Sequence, residues 1–133
     1  MAALPMTDDD LANGRAEVAE AAHAAARAAA THHLVKGLSG LAGSLTADAE
    51  DAITAALMAR DTSAHAWLAP YEAPWALLVL RLLAGTVSDL SKPVSDARER
   101  GATVPAIAAA IGITTQSVYV TYADQVVRRR RSK

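Results

Sequence analysis

Alanine constrains this chain more than any other feature. The stretch "AEVAEAAHAAARAAA", residues 16–30, is typical of its first half. Alanine favours helix because it has no side-chain entropy to lose there, yet it buries little area. Each helix must therefore lean on a few Leu, Ile, Val and Trp anchors, and the packing must be close and the core thin. Of 133 residues 52% are hydrophobic and 20% charged, which supplies a core and argues against disorder. No segment alternates with the period of two that a half-buried strand shows, so the expected fold class is all-α.

Thr7 followed by Asp8, Asp9 and Asp10 reads as a capped helix start, with carboxylates where the helix dipole favours them. A long helix is expected from about Asp8 to Thr31, and the following "THHLVKGLSGLAGSL" either continues it or breaks it near Gly37. Leu34, Leu38, Leu41 and Leu45 recur at helical spacing on one stripe and are candidates for dimerisation. Gly37, Gly40 and Gly43 among them either admit a close helix or weaken the segment. Thr46 is expected to cap a helix to about Arg60 with Ile53, Leu57 and Met58 on its apolar side. Asp61, Thr62 and Ser63 restart the chain, a short helix with Trp67 and Leu68 ends at Pro70, and Pro74 opens a helix to Val87. Leucines and valines surround that last helix, so it belongs at the centre of the core or in a subunit interface. Trp67, Tyr71 and Trp75 either pack around a corner or line an effector pocket.

"SKP" at 91–93 is the expected boundary between an acidic helical domain, 1–93, and a basic module, 94–133. The first holds 6 Lys/Arg against 11 Asp/Glu and the second 7 against 3, so a net charge of −1 conceals opposite ends. A polyanion would bind the C-terminal third.

In that third, Ser95 is a candidate cap for a helix that Gly101 ends, and Thr103 caps the next, with Pro105 in its first turn. Gly112 stops that helix, and Thr114 caps another whose inner side carries Val118 and Tyr122. Ile107, Ala108, Ile111, Gly112, Ile113 and Val118 supply the small contact residue, the turn glycine and the aliphatics that two steeply crossed helices need. This pattern resembles a helix-turn-helix, and "ARERGATVPAIAAAIGITTQSV" is similar to the motif of bacterial and phage DNA-binding regulators. The resemblance covers residues 97–122 and leaves 1–93 unassigned.

The lack of cysteine makes a cytoplasmic protein the simplest expectation, and the resemblance implies a dimeric, nucleoid-associated repressor that inserts a helix at about 115–127 into the major groove of double-stranded DNA. The groove-facing candidates are Gln116 for adenine, Val120 for a thymine methyl and Tyr119 for a phosphate or a stacked base. Thr114, Thr115 and Ser117 suit phosphate oxygens, as does the run Arg128, Arg129, Arg130 and Arg131. The alternatives are an adaptor that docks a protein such as a polymerase subunit, and an architectural or recombination accessory factor. Catalysis has no candidate: cysteine is absent, and no nucleophile-elbow serine occurs. The adjacent His32 and His33 cannot grip one metal, so neither a metal nor a cofactor is expected. No apolar run approaches the roughly 20 residues of a membrane span.

Overall fold

The computed structural model describes residues 4–37 and 47–127, and among these the protein is all-helical. The helices are α1 (Asp8–Gly37), α2 (Ala47–Ala59), a 3-10 helix (Ser63–Tyr71), α3 (Glu72–Leu83), α4 (Ser91–Glu99), α5 (Val104–Ile111), α6 (Thr115–Thr121) and α7 (Ala123–Val126). One isolated bridge, Ala84 to Val87, is the nearest approach to a strand among the described residues.

The start of α1 follows from a reciprocal cap. Thr7 Oγ1 accepts from the Asp10 N–H at 3.0 Å, and Asp10 Oδ2 accepts from the Thr7 N–H at 3.2 Å. The helix then runs without a break for 30 residues, past Thr31 and on to Gly37. Its buried residues, Ala26, Ala30, Thr31, Leu34 and Val35, all lie in the C-terminal half. The N-terminal half is less covered, with Gly14, Ala19, Ala22 and His23 half-buried.

α3 is the central element: it packs on α1, α4 and α5, burying Trp75, Ala76, Val79, Leu80 and Leu83. One polar node lies in this apolar setting. Thr31 is fully buried, its hydroxyl donates to the Arg27 carbonyl and accepts from Trp75 Nε1 at 3.0 Å, and the Thr54 hydroxyl of α2 lies 2.6 Å away. A buried indole N–H needs a partner. That requirement fixes the rotation of α1 against α3.

The core passes straight through the expected domain boundary. Ser91 to Pro93 form the first turn of α4, Pro93 and Val94 are buried, and one apolar cluster extends from Ala26 to Val126. The helix starts four residues ahead of Ser95 because Asp89 Oδ1 accepts from the Ser91 N–H at 3.0 Å. Ser95 sits inside the helix, with its hydroxyl 3.4 Å from Glu99 Oε2.

Other expectations also shift. Leu34 is spent on the intrachain core at 9% exposure, and Leu38, Leu41, Leu45 and Thr46 lie outside the described residues. In α2 Ile53 and Leu57 are buried, but Met58 faces solvent. Trp75 is enclosed at 1% exposure while Trp67 is 37% exposed and edge-on to His65, so these indoles have different surroundings. Pro70 lies inside the 3-10 helix, and α3 follows at once and ends at Leu83 rather than Val87. No single helix among the described residues is long and apolar enough to cross a membrane.

Candidate nucleic-acid interface

α5 and α6 meet at 94° across the short turn Gly112–Thr114. Each end of that turn has a local chemical cause. Thr103 Oγ1 accepts from the Ala106 N–H at 3.2 Å and starts α5, with proline in the first turn. Gly112 takes the left-handed conformation, φ 88°, so that its own N–H and that of Ile113 both reach the Ala108 carbonyl, at 2.8 and 3.0 Å. Thr114 Oγ1 then accepts from the Ser117 N–H at 3.0 Å and starts α6.

Inside the angle lie Ile107, Ala108 and Val118, all buried, with Ile111 and Tyr122 partly buried against the same cluster. Ile113 does not fill the angle: it is 38% exposed, since the turn points it outward. On the outer side of α6, Gln116, Tyr119 and Val120 are exposed, the last two by 47% and 76%. Their spacing of three and four residues puts them on one face of α6.

The helix expected at about 115–127 is divided. It breaks at Tyr122 (φ −119°, ψ 32°) into α6, of seven residues, and the short turn α7. Thr114 and Ser117 are occupied with each other as well, because the Thr114 hydroxyl donates to Ser117 Oγ at 2.8 Å. These two side chains build the helix end, and Thr115 beside them is half-buried.

The positive charge of the C-terminal third is distributed differently from what its count implies. Arg98 donates from Nε to the Val126 carbonyl at 3.0 Å and from a guanidinium NH to the Ala102 carbonyl at 3.1 Å, strapping α7 to α4. Arg100, with a side chain only 2% exposed, pairs with Asp96 at 2.8 Å and lies 5.0 Å from the centre of the Trp75 ring. A second guanidinium nitrogen is 3.5 Å from Glu72, close enough for Coulomb attraction but without a hydrogen bond. Both arginines are structural. The remaining cations of this third, Arg128 to Arg131 and Lys133, lie outside the described residues. The described face of α6 is thus polar and apolar but uncharged.

Sequence reasoning missed the roles of Arg98 and Arg100. "ARERG" displays two arginines two apart, which on a helix point to different sides. Only the neighbouring acceptors on α3 and α7 distinguish a strap from a solvated charge. No cluster of His, Cys, Asp or Glu able to hold a metal occurs among the described residues, and His32 instead lies 3.1 Å from Glu50. Comparison of the chain with protein-family models, curated proteins and solved structures finds no match.

Proposed function

We propose that this protein is a sequence-specific double-stranded DNA-binding transcriptional regulator, a dimeric repressor in which α5 and α6 act as a helix-turn-helix and α6 enters the major groove. The observation that carries this reading is the 94° helix pair with Val118 inside and Gln116, Tyr119 and Val120 together outside. A steep crossing lets one helix project its outer face into a groove while the other holds it against the core. Gln116 has the donor and acceptor pair that matches adenine, and Val120 the apolar surface that suits a thymine methyl. Arg128 to Arg131 follow in sequence and supply phosphate contacts.

The uncharged face favours a second reading, in which Ile113, Tyr119 and Val120 dock a protein partner such as a polymerase subunit. Salt separates the two. A DNA complex weakens linearly in log–log form as salt rises, and Arg129→Ala lowers that slope by about 1 for all sequences alike. Gln116→Ala is expected to cost about 1–3 kcal/mol at the preferred site and to relax sequence preference. The decisive measurement is selection from fragmented genomic DNA at low salt with the full chain: retention of no fragment overturns the DNA reading.

A further inference from the structure

Residues 101–123 carry no Asp, Glu, Lys, Arg or His, and both α5 and α6 fall inside that stretch. The charged residues nearest to it are placed elsewhere. Arg100 is buried against Trp75 and paired with Asp96, and Arg98 spends its guanidinium on the Val126 and Ala102 carbonyls. Asp124 lies past the break at Tyr122 and lines a groove with Arg60, Arg98 and Glu99, which Gln116, Tyr119 and Val120 do not line. The outer face of α6 therefore meets its partner with one carboxamide, one phenol, one isopropyl group and, on the flank, the exposed hydroxyl of Thr121.

That set of groups can use only half of the major-groove code. Guanine is read by a guanidinium or ammonium on O6 and N7, and cytosine by a carboxylate on its N4 amino group. α6 offers neither. A carboxamide instead donates to adenine N7 while accepting from N6, and an aliphatic side chain packs on the thymine methyl. Hydroxyls both donate and accept, so Tyr119 and Thr121 bond to either pair and do not restore the missing choice. Thr115 is half-buried, and Ser117 is held by Thr114. Gln116 and Val120 stand four residues apart, about 6 Å along the helix axis, which is about two base-pair steps. With seven residues, α6 is about 10 Å long and covers about three pairs.

We infer that the DNA this chain selects has a half-site core of A·T pairs alone, read in the major groove through adenine N6 and N7 by Gln116 and through a thymine methyl by Val120. The inference rests on the DNA reading proposed above and narrows its substrate. Its test separates the two.

Selection by the full chain from a randomised duplex library at low salt is expected to return a core of about three A·T pairs in each half-site. Changing the pair under Gln116 to G·C weakens binding at least ~5-fold, a difference that Gln116→Ala removes. Uracil in place of thymine under Val120 deletes one methyl and weakens binding about 4-fold, a difference that Val120→Ala removes. Inosine·cytosine separates the grooves, because it shows the O6 and N7 of guanine in the major groove and lacks the amino group in the minor groove; it is expected to bind as weakly as G·C. Arg129→Ala weakens every site and leaves the selected core as it is. A core with a specified G·C pair, uracil that binds as well as thymine, inosine·cytosine that binds like A·T, or a core that changes with Arg129→Ala overturns the inference and leaves the regulator reading standing. Retention of no duplex at all overturns that reading and the inference with it.

Discussion

Thr31 and Trp75 show how much one hydroxyl does in a thin core. Thr31→Val keeps the shape but strips the indole N–H and the Thr54 hydroxyl of their shared partner. A buried donor left unsatisfied costs about 1–3 kcal/mol. A urea denaturation midpoint lowered to match, with the slope unchanged, is the expected result; an unchanged midpoint refutes the node. Arg100 belongs to the same region, stacked over Trp75 and paired with Asp96. Arg100→Ala is expected to destabilise by about 2 kcal/mol, less than a fully buried pair. Asp96 and Glu72 are 38% and 23% exposed and recover some hydration once the guanidinium is gone. None of these contacts was legible beforehand, because residues 31, 54, 75 and 100 meet only after four segments have packed.

At the scale of elements, helix ends are local chemistry, and most of those in the α5–α6 pair were legible. Thr103, Gly112 and Thr114 act where the sequence placed them, since each needs only neighbours within a few residues. A Cβ on Gly112 would meet nothing within 4 Å, so Gly112→Ala isolates the backbone penalty of positive φ. The expected loss is about 1–2 kcal/mol in thermal or urea melts. Ser95 failed as a cap because Asp89 offered its carboxylate first.

Asp89 and Asp61 share a device. The backbone N–H of Ser91 holds the Asp89 carboxyl below its ordinary pKa, aided by the Ser91 hydroxyl and weakly by His23 and Lys92. The Ser63 hydroxyl, then its N–H, does the same for Asp61. A depressed carboxyl contributes stability that is complete above its unfolded pKa and lost as pH falls through the lower folded value. Helix content followed by circular dichroism should therefore hold above about pH 5 and decline in acid. Asp89→Asn should remove part of that decline; an unaltered acid limb counts against the assignment.

At the scale of the molecule, the two halves are one folding unit. α3 packs on both α4 and α5, so the fragment 94–133 loses the surface against which those helices rest. α4 to α7 are nine residues long or shorter, and isolated helices of that length are marginal in water. The fragment should show little helix by circular dichroism and no cooperative melt; a native-like melt would restore the boundary at 93. The sequence by itself determined the helical class, the long alanine helix and the capped ends of the α5–α6 pair. These depend on side-chain entropy, periodicity and hydrogen bonds between near neighbours. Only the tertiary structure decided that Leu34 turns inward, that Ile113 turns outward, and that the helix after Thr114 breaks at Tyr122. It also decided that Arg98 and Arg100 are straps rather than free charge. Each of those outcomes depends on which distant surface lies opposite, and spacing along the chain carries no record of that.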